Sequence, residues 1–383
     1  MSSGHTGARN AGGAKGYPGY RGHKEPFHSR GWAAADDWVS LHVYHWGDQD
    51  LVLSRAVSPL VRGLEEAGLL RGWFFQRSGE GGPHIRLRLL PAQPVQRGAV
   101  RRAAEGRLAA HLAAHPTAAP AAASSYAASV TAYARAHGVD AADRSVRAAD
   151  TLEEVPYVRE PDWYGYGEAV TAVERHFAQS SNLALSLLAE TATRQARMNV
   201  ALAHLTMALA ASGLSIADCA RLTDPQVVLA SPRPSERRRI AGEAQATYRA
   251  RGASLREQTR RLWTAGGGPG AAAVHEDADL RAHRARGTGP AAAWSHSVRT
   301  LATRLVTLSA EGAYAPAGLG ELYPDSAWKG TRRPPGAAIA VHHVLGRAAH
   351  QFTNRVGIGC RQETYLRLLL AQALHDLARP GRP

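Results

Sequence analysis

Two short runs of alternating side chains, Gly72-Trp-Phe-Phe-Gln-Arg77 and Pro83-His-Ile-Arg-Leu-Arg-Leu89, flank a Ser-Gly-Glu-Gly-Gly turn. A period of two interrupted by glycines predicts an antiparallel β-hairpin, because successive strand side chains point to opposite faces and glycine supplies the backbone reversal. In the second run His84, Arg86 and Arg88 share one face, and Ile85, Leu87 and Leu89 share the other. In the first run Trp73, Phe75 and Arg77 share a face. A line of cationic donors on a half-buried sheet can hold a carboxylate or phosphate through bidentate arginine bonds. It can equally be the solvated face of an antiparallel sheet, and periodicity alone leans to that second reading.

The surrounding chain supplies partners for the hairpin. Trp38, Val39, Leu41, Val43 and Tyr44 read as a strand, and Leu51–Leu70 as an amphipathic helix containing Pro59. An Ala-rich stretch, Arg101–Ala136, reads as helix broken near Pro116 and Pro120, followed by a loop through Pro156 and Pro161. Beyond it come helical patterns at Glu168–Arg194, Met198–Ala211, Ser235–Leu262, Ala292–Ala310, Ala337–Val356 and Gln362–Ala378. Gly/Pro-rich connections separate them at Gly266–Gly270 and Pro316–Pro335, and no internal repeat is evident. The expected fold class is α+β. Residues 1–34 form a Gly/Arg-rich tail expected to be disordered. Residues 35–383 form one domain, with a strand-containing part at 35–150 and a mainly helical part at 151–383.

Charge excludes less than it first promises. The 383 residues carry 46 Lys+Arg against 32 Asp+Glu, a formal net charge of +14, yet only three of the basic residues are lysines. An arginine skew alongside abundant Ala and Gly is the imprint of a GC-rich genome. The surplus is spread along the chain, apart from Arg237-Arg-Arg239, without the interleaved aromatics of a nucleic-acid surface. No nucleic-acid partner is expected; an acidic or carboxylate-bearing peptide suits this field as well. Two cysteines, Cys219 and Cys360, make neither a disulfide framework nor a thiolate metal site. The longest apolar run, Asn199–Ser215, is broken by His204, Thr206 and Gly213, and the N-terminus lacks a signal-peptide block. A cytoplasmic protein with no membrane partner is expected.

Three segments carry chemistry. Tyr164-Gly-Tyr166-Gly167 is a turn whose glycines let backbone approach something closely. A phosphate loop would require a further glycine where Val170 stands. The helix that follows places Val170, Val173, Phe177, Ala184 and Leu188 on one stripe, with Ser180 and Ser181 in its gap. On Ala337–Val356 the apolar side is Val344, Leu345, Ala348 and Phe352, while His343, Arg347, His350 and Asn354 line another side. Histidine there offers proton transfer near neutral pH, and arginine can stabilise a developing oxyanion. A metal site is not expected, since no His pair at i, i+4 has a third ligand and no HExxH occurs.

Three ordered motifs carry a family resemblance. Trp38-Val-Ser-Leu-His-Val-Tyr44, Trp73-Phe-Phe-Gln-Arg77 and Gly82-Pro-His-Ile-Arg-Leu-Arg88 resemble the opening of the lanthipeptide dehydratase C-terminal (elimination) domain family, also called the thiopeptide-type bacteriocin biosynthesis domain. Tyr164-Gly-Tyr-Gly-Glu-Ala169 with Glu174-Arg-His-Phe177 and Ser180-Ser181 is similar to its central motif. His350-Gln-Phe-Thr-Asn354-Arg355, with Glu363 beyond, is similar to its closing motif. The chain is too short for the aminoacyl-transfer region of full-length dehydratases, so the resemblance implies a stand-alone member. Such members either eliminate glutamate from glutamylated Ser/Thr or join two dehydroalanines in a formal aza-[4+2] cycloaddition that makes a pyridine and expels the leader peptide. A third reading is a non-catalytic leader-binding scaffold.

One departure helps choose between the two reactions. Eliminating members carry an arginine immediately before the central Tyr-Gly, where this chain has Trp163. The expectation is therefore a pyridine synthase needing no cofactor, acting on a ribosomally made precursor with a leader and a dehydrated, azole-containing core, beside companion biosynthetic enzymes. The resemblance implies His350 as proton shuttle and Tyr164 or Tyr166 as donor to an amide oxygen, with Arg86 and Asn354 polarising carbonyls. Arg77, His84, Arg88, Glu174, Ser180, Ser181, Arg347 and Arg355 are the expected substrate-binding residues.

Overall fold

The hairpin forms one side of a four-stranded antiparallel sheet in a computed structural model. The structure describes residues 33–117, 146–190, 193–223, 234–269, 289–314, 319, 323, 328 and 331–379. Most of the tail expected at 1–34, and residues 118–136 of the Ala-rich stretch, lie outside the described residues. Strand β1 (Val39–Tyr44) is flanked by β3 (His84–Pro91) and β4 (Thr151–Glu154), and β2 (Leu70–Ser78) pairs with β3, giving the order β2-β3-β1-β4. In the hairpin Trp73, Phe75 and Arg77 lie opposite Leu89, Leu87 and Ile85, and Phe74, Gln76 and Ser78 lie opposite Arg88, Arg86 and His84. The alternation predicted from sequence is thus the register observed.

β4 departs from the expected loop. Its four residues carry too short a period to register locally, and its pairing with β1 (Leu41 to Glu154, Val43 to Leu152) supplies what propensity does not. It also carries the sheet across the division expected at residue 150.

The helix expected over Leu51–Leu70 runs instead as α1 (Gln49–Val52), a π-helical turn at Leu53–Val57, and α2 (Ser58–Glu66). Asp48 caps it by accepting from the Asp50 amide. Pro59 removes the donor that would bond the Arg55 carbonyl four residues earlier, and the Arg107 guanidinium donates to that carbonyl instead at 3.2 Å. Arg107 lies on α3 (Arg97–Ala114), so the proline ties two helices together.

The remaining helices are α4 (Pro161–Tyr164), α5 (Glu168–Glu190), α6 (Arg194–Ala211), α7 (Ile216–Leu222), α8 (Pro234–Ala265), α9 (Pro290–Ala310), α10 (Gly336–Arg355) and α11 (Cys360–Ala378). The pattern read as a single helix over Glu168–Arg194 is two: α5 ends at Glu190, and Thr193 caps α6 by accepting from the Ala196 amide. The seven-residue α7, capped by Ser215, is too short to show a period and is absent from the sequence reading.

α5 and α10 both pack against β2, while α9 packs against α5, α6 and α10. Two aromatic groups anchor this core. Beside the sheet Trp38 meets Phe74 edge-on at 5.1 Å and Tyr157 at 5.8 Å. Among the helices Phe352 stacks on His204 at 4.5 Å, and the Trp294 indole N–H donates to the His204 carbonyl. No single described helix is long and apolar enough to cross a membrane.

Candidate active site

One face of the sheet, the 157–160 segment, Tyr164 and the first half of α5 line a small cleft that is partly open to solvent. Phe74, Gln76, Arg86 and Arg88 form its floor; Tyr157, Val158, Glu160, Tyr164, Val170, Val173, Glu174 and Phe177 form its walls. The arginine face of β3 is therefore not a solvated face: Arg88 is 6% exposed and His84 is 1% exposed.

Burial decides the charge states on this floor. His84 Nδ1 bonds the Gly82 carbonyl at 2.8 Å, which leaves Nε2 to accept from Arg86 Nε at 3.3 Å. His42 Nε2 lies 3.1 Å from Arg88 Nη2, and the two imidazoles stack at 4.8 Å. Burial, with the neighbouring arginines, pushes His42 down to about 3 and lowers His84 also. His84, expected as a cationic ligand, is thus a neutral acceptor that aims Arg86. Arg86 also pairs with exposed Glu80 at 2.7 Å, a surface contact of small energy. Arg88 meets only neutral partners: His42, the Leu41 and Leu87 carbonyls, and the Tyr157 ring at 5.4 Å. Burial pushes its guanidinium down to about 10. It is a buried cation without a carboxylate partner among the described residues, on the floor of a cleft.

Glu174, expected to bind substrate, serves that wall instead. Its carboxylate takes both Arg159 nitrogens, at 2.7 and 2.8 Å, and the Tyr157 hydroxyl at 2.9 Å. The 157–159 segment is thereby pinned to α5, although burial raises the Glu174 pKa.

The Tyr-Gly-Tyr turn places Tyr164 in the cleft. Gly165 adopts φ +88°, and a Cβ there would lie 2.8 Å from the Tyr314 ring and 2.9 Å from Ala169 Cβ; only glycine fits. Tyr164 is buried edge-on to Phe177 at 5.5 Å, and its hydroxyl has no hydrogen-bond partner of standard geometry. Burial raises its pKa, opposed by the nearby Arg347 guanidinium. Tyr166 is half-buried across the turn and does not line the cleft. The position before Tyr164 is less bare of charge than its tryptophan implies, because Arg347 of α10 sits 3.6 Å over the Trp163 ring.

Ser180, Ser181, Asn354, Arg355 and Arg77 form a separate construction. β2 is an edge strand, and its outer backbone groups face α5 and α10. The Phe75 N–H donates to Ser181 Oγ at 3.2 Å, and the Phe75 carbonyl accepts from Arg355 Nε at 2.6 Å. The Arg77 N–H donates to Asn354 Oδ1 at 2.9 Å, and the Arg77 carbonyl accepts from Asn354 Nδ2 at 3.0 Å. Arg355 is fully buried, bonds Ser180 at 3.2 Å and lies 4.6 Å over the Phe177 ring.

The Arg77 side chain points to the sheet face opposite Arg86 and Arg88. There it bonds the Arg355 carbonyl at 3.1 Å and Asp50 at 2.5 Å. The closing motif therefore seals a strand edge. Asn354, expected to polarise a substrate carbonyl, has both ends of its amide committed to backbone.

His350 keeps the geometry of a proton carrier. Its Nδ1 bonds Glu363 at 2.6 Å, and its side chain is 43% exposed. Buried Glu363 also accepts from Thr353 and from Arg367 Nε at 2.7 Å. Burial alone would raise that carboxyl, but Arg367 and then His350 outweigh it and hold it at about 2. The dyad does not line the cleft; it stands on the α10 side between Arg347 and Asn354. Among the described residues no group of three or more His, Cys, Asp and Glu could hold a metal ion. Sequence reasoning missed His42, Tyr157 and Glu160. The alternation of β1, which puts His42 opposite Arg86, is the signal that would have found the first.

The chain belongs to the lantibiotic biosynthesis dehydratase C-terminal family, whose model matches residues 38–374. No curated protein matches it by sequence. Among solved structures it is similar in fold to the pyridine synthase TbtD from thiomuracin biosynthesis, at 16% identity and a TM-score of 0.63, covering 89% of this chain and 99% of that one. It is likewise similar to TsrL, at 20% identity and a TM-score of 0.60, covering 88% and 94%.

Proposed function

We propose that this chain is a macrocyclase of thiopeptide biosynthesis that forms a pyridine from two dehydroalanines of a ribosomally made peptide. One dehydroalanine and the amide preceding it, in its iminol form, act as a 2-azadiene, and the second alkene is the dienophile. Two C–C bonds form; a C–O bond then breaks to release water and a C–N bond breaks to release the leader as an amide. The sequence is redox-neutral.

Most of the barrier lies in bringing two distant alkenes together, so positioning is the main contribution. The observation that carries the reading is that Arg88, a buried cation with neutral partners, and Tyr164, a buried hydroxyl beside the Arg347 guanidinium, line a single cleft. Both are donors that a substrate carbonyl would satisfy, and such donors stabilise charge developing on an amide oxygen. Arg86 is a third. His350, aimed by Glu363 but outside the cleft, is the candidate proton carrier for the two eliminations.

A second reading, glutamate elimination from glutamylated Ser/Thr, draws on the same Arg88 and on Arg347, which returns a cation to the position of Trp163. Mass spectrometry of the full chain with two peptides separates them. A bis-dehydroalanine peptide is expected to yield a dehydrated macrocycle and a leader amide. Loss of glutamate from a glutamylated peptide, with the first peptide unchanged, would establish the elimination instead.

A further inference from the structure

We propose that Trp163 and Arg347 form a stacking platform next to Tyr164 of the cleft wall that receives a planar aromatic ring of the bound peptide. The inference rests on the peptide-processing reading above and names a contact which that reading does not require.

Trp163 is 38% exposed, whereas its neighbour Tyr164 is buried and lines the cleft. A large aromatic left exposed beside a cleft is otherwise free to change rotamer, but this one is held from α10. The Arg347 guanidinium lies 3.6 Å from the ring centroid of Trp163. One turn earlier, the His343 ring stands near-parallel to the indole, at 6.3 Å and 23°. His343 is fixed in turn by the Tyr323 hydroxyl at 3.3 Å, and burial with Arg347 pushes it down to about 4, so it is a neutral ring. The indole plane is therefore set before any ligand arrives, and little side-chain freedom is lost on binding.

Beside the platform, buried Arg347 Nε has no hydrogen-bond partner of standard geometry, and the Tyr164 hydroxyl stands close to the same guanidinium. A ring laid against the indole brings its own peptide carbonyl or ring heteroatom within the neighbourhood of these donors. A saturated side chain of the same size gains the burial without the ring–ring and cation–ring attraction.

The test uses two unreactive peptides, each with one dehydroalanine and an alanine in place of the second. They differ at the residue flanking the dehydroalanine: phenylalanine in one, cyclohexylalanine in the other. Calorimetric titration of the full chain is expected to show about a five- to tenfold preference for phenylalanine. Trp163→Leu should abolish that preference and Trp163→Phe should retain most of it. Thermal melts check that both variants fold.

Equal affinities in the unsubstituted chain, or a preference that survives Trp163→Leu, would overturn the platform. So would a chain that binds neither peptide yet still makes the macrocycle, an outcome that leaves the cycloaddition standing. A preference lost in Trp163→Leu alongside no ring formation from a bis-dehydroalanine peptide would keep the platform and remove the cycloaddition. Tighter binding of a glutamate-bearing peptide that depends on Arg347 alone would make Arg347 a carboxylate ligand and also overturn the proposal.

Discussion

Arg88 and Tyr164 show how a single residue can be proposed as functional from its cost to the fold. A buried cation without a counter-charge and a buried hydroxyl without a hydrogen bond of standard geometry are both unfavourable in the folded chain. Replacing each by an apolar side chain of similar shape should therefore leave stability unchanged or raise it slightly. Arg88→Met and Tyr164→Phe are expected to melt at or above the unsubstituted chain while turnover falls about 100-fold, the loss typical of removing one preorganised donor. Melting curves beside initial rates of macrocycle formation check this, and a variant that loses stability but keeps its rate would assign that side chain to the scaffold. The opposite pattern belongs to Glu174, whose carboxylate holds Tyr157 and Arg159. Glu174→Gln should lower stability first, by about 2 kcal/mol or more, because the buried carboxylate that takes Arg159 Nε and Nη2 loses its charge.

Strands and helices explain what Asn354 and Arg355 of the closing motif do for the fold. Ser181, Asn354 and Arg355 together complete four backbone hydrogen bonds on the outer edge of β2, so α5 and α10 replace the missing neighbour strand. Asn354→Ala should leave the Arg77 N–H and carbonyl unpaired, at a cost of about 2 kcal/mol or more in urea unfolding. Slower exchange of the β2 amides in that variant than in the unsubstituted chain would contradict the edge-sealing role. Gly165→Ala, with a Cβ forced against Tyr314 and Ala169, should misplace Tyr164 and reduce turnover more than Gly167→Ala, where a Cβ meets nothing.

The same elements mark what was legible in the sequence. The hairpin and the apolar face of α10 are local patterns of period 2 and 3.6; the hairpin strands pair with each other as expected. Val344, Leu345, Ala348 and Phe352 are all fully buried. β4 and the edge seal depend on residues about 100 to 280 positions apart, and no local period encodes such a pairing. The identities of Ser181, Asn354 and Arg355 were readable, but their acceptor was not. The charge of His84 was misjudged for a related reason: periodicity places a side chain on a face without saying how dry that face is.

Among the described residues, buried histidines and carboxylates held low, against burial, by arginine, histidine or threonine partners, Glu363 furthest of them, shape the response to acid. Burial pushes His42, His176 and His342 down to about 3 and His204 to about 4, whereas the unfolded chain takes up those protons near pH 6.5. Between these values the unfolded state binds more protons, so stability falls as pH drops below about 6.5. Glu363, held at about 2 against its ordinary 4.5, adds stability that is present above about pH 4.5 and lost as pH falls towards 2. Urea midpoints measured from pH 7 to pH 3 should therefore decline throughout. Glu363→Gln should flatten only the part below about pH 4.5, and a midpoint constant from pH 7 to pH 5 would contradict the histidine contribution.

The central claim is that the peptide reacts in the cleft between the arginine face of the sheet and the Tyr-Gly-Tyr turn. Photo-crosslinking tests it directly, with a diazirine placed beside a dehydroalanine of an unreactive substrate analogue and the adducts mapped by peptide mass spectrometry. Adducts on Tyr157, Val158, Tyr164 and the start of α5 are the expected result. Adducts concentrated on α8, or on the outer edge of β4, with none on the cleft walls would contradict it.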